Sequence, residues 1–402
     1  MNDKNIINDL IKRCVENVIP SNEKLEKLLL SGKKLNIYLG IDPTSTKIHL
    51  GHAVPLRKMQ LLSDLGHKVT FLIGDFTAMV GDTSDKESER PILTREDIER
   101  NFATYKKQAE KVLDFTKIEV RFNSEWLSKL TFGDVLFLAG HFSVNDFTSR
   151  ELVRKRLDEG KRVSLPETLY PLMQGYDSYH LDTDIQLGGT DQTFNMQAGR
   201  KLNKVLGKKE SFIIANGFLP GTDGRKMSKT WGNAVWLDDA PEEIYGKVMS
   251  IKDELIAEYF EFGTNMPLDQ INKVKKELKK SDNPMEIKKQ LAARIVGELY
   301  GEEQASPSAE YFEKTVVNKE APKNVAIVEI KKDSFSVNDL MKIVVDNGLV
   351  ESKSQFRRLV SQGACSVDDK RLVAGTNEIK LSDKSMMVRV GKRRYLKLSP
   401  TK

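Results

Sequence analysis

Cysteine is nearly absent: 402 residues carry 2, Cys14 and Cys365, near opposite ends. That excludes a disulfide framework and a cysteine-based zinc site, and a reducing cytoplasm is the expected location. No apolar run approaches the ~20 residues of a membrane span, so no membrane partner is expected. Residues 1–14 mix Asn, Asp and Lys with Ile, which is not the pattern of a secretory signal. Internal repeats and low-complexity tracts are also missing. What is present, 39% hydrophobic and 30% charged residues, is ordinary for a soluble protein, and the length allows two to three domains with a real core.

The net charge of +6 is unevenly distributed. Residues 335–402 hold 14 Lys and Arg against 7 Asp and Glu, so the excess positive charge lies in the C-terminal segment. A small basic module on a near-neutral body points to a polyanion, above all nucleic acid. The plainer alternative is a solvated basic face.

Residues 35–41 read as a buried strand, 42–46 (Asp-Pro-Thr-Ser-Thr) as turn chemistry, and 50–65 as a helix closed by Gly66. Residues 69–73, 184–187 and 212–215 supply further strands. This strand–helix–strand order predicts an α/β fold with an open parallel sheet, Rossmann-like, over residues 1–235. Within it, 113–162 reads as a helical insertion suited to a subunit contact. Residues 236–318 form a helical region with predicted helices at 244–249, 253–262, 268–280, 284–299 and 308–317. A Lys-rich linker over 319–334 leads to the basic module, 335–402, of mixed helix and strand.

His49-Leu50-Gly51-His52 falls where the first strand turns into its helix. A helix N-terminus offers free N–H groups and a favourable dipole for phosphate. The imidazoles can donate to phosphate oxygens, Thr44 adds a hydroxyl on the same loop, and Gly51 allows close approach to the backbone. Alone, four such residues are as well read as a turn with two surface histidines. Lys226-Met227-Ser228-Lys229-Thr230, after the glycines of 220–225, alters that balance. Loop lysines such as Lys226 and Lys229 can follow charge as it develops on a leaving pyrophosphate.

With these motifs on the page, the chain resembles the class I aminoacyl-tRNA synthetases, and the tyrosyl-tRNA synthetase family in particular. The resemblance runs from Tyr38 to Leu398. It is carried by Tyr38-Leu39-Gly40-Ile41-Asp42-Pro43-Thr44, by residues 81–90 (Gly-Asp-Thr-Ser-Asp-Lys-Glu-Ser-Glu-Arg), by Tyr170, Gln174 and Asp177 on one helix face, by Gly188-Gly189-Thr190-Asp191-Gln192, and by Lys226–Thr230. It implies that Tyr38 and Asp177 converge on a substrate phenol, supplying one donor and one acceptor. A site built to hydrogen-bond a hydroxyl rejects the analogue lacking it, and tyrosyl enzymes are the established instance of that rule. No editing domain is evident.

The same resemblance implies that Asp82, Tyr170 and Gln174 cradle an ammonium group, and that Gln192 lies near the amino acid's carboxylate. It assigns Gly40, Asp42, Gly51, Gly189 and Asp191 to ATP, with Asp191 and Gly189 on the ribose. It gives Lys86, Arg90 and Thr230 a part at the pyrophosphate. Thr230 stands where serine is common. Leu39 stands where some relatives have a polar residue that reaches the ribose. Pro171 is expected in the first turn of its helix.

The basic module resembles an S4-type RNA-binding domain, with Arg357, Arg358, Lys392, Arg393 and Arg394 on phosphates. Such contacts give affinity without sequence information. The implied reaction is activation of L-tyrosine by ATP and transfer to tRNA(Tyr). Mg²⁺ would accompany ATP, since no dedicated carboxylate cage is visible. A homodimer is implied as well. The competing readings are a tryptophanyl enzyme of the same class, a small-molecule nucleotidylyltransferase, and a non-catalytic RNA-binding protein. An indole has one donor and no acceptor, which disfavours the first. Neither of the others needs both signatures together with a basic tail.

Overall fold

The structure, a computed structural model, describes residues 3–82, 93–228, 231–281, 283–318, 325–330, 334–350, 352–373, 379–380, 385–391 and 394–400. The predicted site residues Lys86, Arg90, Lys229, Thr230, Lys392 and Arg393 lie outside them.

A six-stranded sheet organises the first half. Its strands are β1 (Val15–Ile19), β2 (Asn36–Ile41), β3 (Lys68–Ile73), β4 (Glu119–Phe122), β5 (Ile185–Gly189) and β6 (Phe212–Asn216). Their order is β1-β6-β5-β2-β3-β4, parallel throughout except for β1. Ile37, Tyr38 and Leu39 are all buried, as are Val69 through Ile73. Strands covered on both faces lose the apolar–polar alternation, which is why they are legible as short apolar runs. The chain winds outward from β2 to β3 and β4, then returns to β5 and β6. The order therefore reverses between β2 and β5, and ligands of open α/β sheets bind at the carboxyl ends of the strands beside such a reversal.

The segment read as a helical insertion differs in its first part. β4 joins the sheet beside β3, and only then do the short helices Ser124–Leu127, Phe132–Ala139, Val144–Thr148 and Glu151–Asp158 follow. Strand β1 was not foreseen either. Its polar residues, Glu16 and Asn17 within Val-Glu-Asn-Val-Ile, suit an edge position and hide the signal.

Helix Leu165–His180 runs below the cleft. Ser164 and Glu167 form a capping box, and Arg156 bridges the Glu167 carboxylate at 2.9 Å with both side chains 2% exposed. Pro171 lies inside this helix rather than in its first turn. It cannot donate to the Glu167 carbonyl one turn back, and Arg150 donates to that oxygen instead.

The later helices are Pro241–Met249, Ile256–Gly263, Leu268–Leu278, Met285–Tyr300 and Ala305–Phe312, the last continuing as a π-turn. Their apolar faces share one continuous core with the sheet, from Ile37 and Leu39 to Tyr259 and Ile295. Arg13 and Arg57 donate to the carbonyls that end helix Ile256–Gly263, where cations suit the helix dipole.

The C-terminal module has its own core, including Leu340, Phe356, Val388 and Leu396. Helices Val337–Asp346 and Lys353–Ser361 pack on a five-stranded sheet. Strand Ile327–Ile330, inside the expected linker, pairs in parallel with Arg394–Pro400. Pairing supplied by a distant strand leaves no local signature. Among the described residues no helix is long and apolar enough to cross a membrane.

Candidate active site

A cleft of about 310 Å³ opens at the carboxyl ends of β2 and β5. All the residues predicted for the amino acid and the nucleotide that fall within the described chain line it: Tyr38, Gly40, Asp42, Thr44, His49, Gly51, His52, Asp82, Tyr170, Gln174, Asp177, Gly189, Asp191, Gln192 and Lys226.

The closed end is built from β2, helix Leu165–His180 and the turn after β4. Asp177 is 2% exposed. One carboxylate oxygen accepts from Trp126 Nε1 at 2.7 Å, the other from Asn123 Nδ2 at 3.2 Å. Burial pushes its carboxyl up to about 7, against the pull of those two hydrogen bonds. Tyr38, 3% exposed, donates its hydroxyl to Gln186 Oε1 at 3.3 Å. Burial first, then the nearby Asp177 charge, hold that hydroxyl well above its ordinary value, so it keeps its proton.

A polar chain leads from this end toward the cleft's middle. Asn123 also donates to Thr77 Oγ1, Thr77 donates to Asp42 Oδ1 at 2.8 Å, and Tyr170 donates to Asp42 Oδ2 at 2.9 Å. Tyr170 stays protonated, since burial and the Asp42 and Asp82 carboxylates raise its value well above the usual one. With its proton on Asp42, its oxygen remains an acceptor. A Cβ on Gly74 would collide with Asp42 and Thr77, so only glycine lets this pair form. Asp82, 6% exposed, accepts from Gln192 Nε2 at 2.8 Å and Asn195 Nδ2 at 3.3 Å. Gln192, expected at the substrate carboxylate, is thus tied to Asp82.

At the open end, His49 and Trp236 form an isolated antiparallel bridge outside the strands, and regular helix begins at Ala53 with His52 as the preceding residue. The two imidazoles stack at 3.7 Å. The His49 backbone N–H donates to His52 Nδ1, which leaves the His52 proton on Nε2. His52 is exposed and lines the cleft. Burial lowers His49 to about 2, with His52 and Lys226 adding repulsion, and lowers His52 to about 4. Both are therefore neutral donors at neutral pH. His49 Nδ1 is buried without a partner. The space over Gly51 is taken by the His49 ring, 3.1 Å from where a Cβ would sit, so what that glycine admits is the imidazole itself.

Lys226 lies across the cleft, 5.6 Å over the Phe218 ring. Its loop is Gly-rich in sequence, yet its first half is a pinned turn. Asn233, 3% exposed, donates to Asp223 and to the Lys226 carbonyl, and accepts from Ser228 N–H at 2.9 Å. Gly221 is required because a Cβ would strike Asn233.

Asn123, Trp126, Thr77, Asn195 and Gln186 were missed. They hold the predicted residues rather than form motifs, and nothing in their spacing marks them. In the basic module Arg357 and Arg358 are exposed. Arg394 instead donates to Leu349 O and pairs with Glu243 of the helical region at 2.9 Å.

Known proteins are similar to this chain in sequence and in fold. Residues 30–317 match the family of class I tRNA synthetases (W and Y), and 318–398 match the tyrosine–tRNA ligase SYY-like C-terminal domain. The tyrosine–tRNA ligase of Thermotoga maritima is 41% identical over 97% of this chain and 96% of its own. That of Carboxydothermus hydrogenoformans is 41% identical over 97% of each. In fold, the chain is similar to the Archaeoglobus fulgidus tyrosyl-tRNA synthetase complexed with L-tyrosine, with a TM-score of 0.61 at 24% identity over 77% of this chain and 99% of the other. It is likewise similar to a C-terminally truncated Aspergillus nidulans mitochondrial tyrosyl-tRNA synthetase, with a TM-score of 0.64 at 23% identity, covering 76% and 92%. By sequence over nearly its whole length, this chain belongs to the tyrosine–tRNA ligase family of class I tRNA synthetases.

Proposed function

We propose that the cleft binds L-tyrosine with its phenol at Tyr38 and Asp177 and its ammonium at Asp82, Tyr170 and Gln174, and ATP beside Gly40, Asp42, Gly51, Gly189 and Asp191. The chain is a tyrosine–tRNA ligase. Tyrosine's carboxylate attacks the α-phosphate of ATP, forming tyrosyl-adenylate and releasing pyrophosphate. The terminal ribose hydroxyl of tRNA(Tyr) then attacks the acyl carbon, and AMP leaves. No side chain serves as a covalent nucleophile. The protein contributes position and preformed donors.

The observation that supports this most is the polarity of this cleft. Its closed end carries a carboxylate and a phenol, which suits a substrate hydroxyl and not an indole. Its open end carries two neutral imidazole donors and the Lys226 ammonium, which suit phosphate oxygens. Thr44 joins them there, and Lys86, Arg90, Lys229 and Thr230 are assigned to the same end. That donor set is not a carboxylate cage, so Mg²⁺ would be held by the triphosphate's own oxygens.

The basic module is read as S4-type, with Arg357, Arg358, Lys392, Arg393 and Arg394 for RNA phosphates. The exposed side chains of Phe132 (77%), Leu136 (57%), Phe137 (61%) and Val144 (76%) lie on the helices after β4. An apolar face of this kind fits a second copy of the chain in a homodimer. The reaction belongs to the cytoplasm, where translation runs.

Amino-acid-dependent ATP–pyrophosphate exchange is the test. Exchange with tyrosine, little with phenylalanine and none with tryptophan is expected; exchange with tryptophan instead of tyrosine would overturn the reading. Phe137→Asp should turn a sedimenting dimer into monomer.

A further inference from the structure

Tyr38 and Gln186 are register partners on the adjacent parallel strands β2 and β5, so their side chains stand side by side on one face of the sheet. Gln186 is fully buried, at 0% exposure, and does not line the cleft. Its amide has one orientation: Nε2 donates to Met196 O at 3.0 Å and faces Ser211 Oγ. Oε1 is therefore turned to Tyr38, and the phenol of Tyr38 donates to it at 3.3 Å. The Ser178 hydroxyl bonds the same phenol oxygen and is itself held by Asn203 Nδ2 at 2.8 Å.

The consequence concerns what a substrate lacking a hydroxyl would suffer. An analogue is rejected to the extent that it leaves a buried polar group unpaired. With Gln186 behind it, the Tyr38 hydroxyl keeps a partner when phenylalanine fills the cleft. We propose that Gln186 is a specificity-setting positioning residue, which holds the Tyr38 proton away from the cleft and so limits the penalty that Tyr38 imposes on phenylalanine. A bound tyrosine draws the proton only in competition with Gln186, and the rejection of phenylalanine rests mainly on Asp177. This rests on the assignment of Tyr38 and Asp177 to the substrate phenol.

The sign of the prediction follows. Removing the Gln186 acceptor leaves the Tyr38 proton without an acceptor beside phenylalanine but with one beside tyrosine, while Ser178 goes on bonding the phenol oxygen, so selectivity should rise. Gln186→Met should increase the ratio of kcat/KM for tyrosine over phenylalanine by roughly tenfold, through a higher KM for phenylalanine and with kcat for tyrosine unchanged. Adding Tyr38→Phe should remove the gain. Gln186→Asn, which withdraws the acceptor but keeps a buried amide, should act in the same direction if the Met variant does not fold. All are measured by pyrophosphate exchange on the full chain, with thermal melting alongside. A loss of folding alone would not split KM from kcat between two substrates.

An unchanged or lowered ratio in a folded Gln186 variant overturns the proposal, as does a gain that survives Tyr38→Phe. Asp177→Asn separates the two levels. If it leaves the ratio intact, the assignment of the closed end fails. If it collapses the ratio while the Gln186 variants do not raise it, only the role of Gln186 fails.

Discussion

The two ends of one cleft are built on opposite principles. At the closed end, polar atoms are paired before any substrate arrives: Asp177 with Trp126 and Asn123, Tyr38 with Gln186, Asp42 with Thr77 and Tyr170. At the open end, the two stacked imidazoles line the cleft, and the His52 proton is on Nε2, away from the backbone bond that its Nδ1 accepts. The first arrangement makes recognition rigid, because a buried network holds its members in one geometry. The second leaves donors for charge that appears only during reaction, which is where differential binding raises kcat. Their protonation differs in the same sense. Burial raises an acid at one end to about 7 and lowers the bases at the other to about 2 and 4.

The most forceful way to break the closed end is from beneath. Arg156 and Glu167 form an ion pair, 2% exposed on each side, at the start of the helix that carries Tyr170, Gln174 and Asp177. Arg156→Ala strands a buried carboxylate, and breaking such a pair costs about 3–5 kcal/mol. Urea or thermal unfolding should register that loss. A change under about 1 kcal/mol would mean the pair is solvated and does not anchor the helix.

The open end responds through rate rather than stability. His52→Ala removes a preformed donor, and losing one such donor typically lowers kcat by about 10²–10³. Stopped-flow activation should show that drop with the KM for tyrosine nearly unchanged. A shift confined to KM would place His52 in ground-state binding instead. Because both imidazoles titrate far below neutrality, kcat should be flat from about pH 6 to 8 as far as they are concerned.

Asp177 predicts the contrasting profile. Its carboxylate must be ionised to accept from a phenol, so kcat/KM for tyrosine should rise with pH through about 7. Asp177→Asn should flatten that limb and lower kcat/KM by about 10–100-fold, the range for an unpaired buried hydrogen bond. A limb that persists in the Asn variant assigns it to another group. The linkage to folding has the opposite sign. The folded carboxyl lies above its ordinary 3.8, so the folded chain holds the proton more tightly. Stability from this group therefore falls as pH rises from about 4 to about 7. The closed end gives up folding free energy to keep a usable acceptor.

This contrast also explains what could be read from the sequence. His49, His52 and Lys226 sit at a strand–helix turn and a Gly-rich loop, features with local signatures. Tyr38, Tyr170 and Asp177 were legible through the motifs that carry the family resemblance, held in fixed spacing by a strand and a helix. Trp126, Asn123 and Gln186 were not, because their roles arise from pairing across 51, 54 and 148 residues of chain. For the same reason β1 and strand Ile327–Ile330 were invisible, since each is completed by a partner far along the chain. Pro171 misled because its missing donor is compensated by Arg150, not by a helix start.

The smallest expected effect tests whether the open end is shared with the RNA module. Arg394, assigned to RNA phosphate, is engaged by Glu243 at 2.9 Å, with both side chains partly exposed. Arg358 approaches within 3.6 Å of the space above Gly232, just past the signature loop. The module thus leans toward the open end of the cleft and not on the paired one. A phosphate must compete with Glu243 for Arg394, and a partly exposed ion pair is worth about 1 kcal/mol or less. Glu243→Gln should therefore tighten tRNA binding by no more than about fivefold in fluorescence anisotropy, leaving tyrosine-dependent pyrophosphate exchange as it was. Weaker binding instead would make Glu243 a support for Arg394 rather than its competitor. The module would then be docked in the orientation that receives RNA.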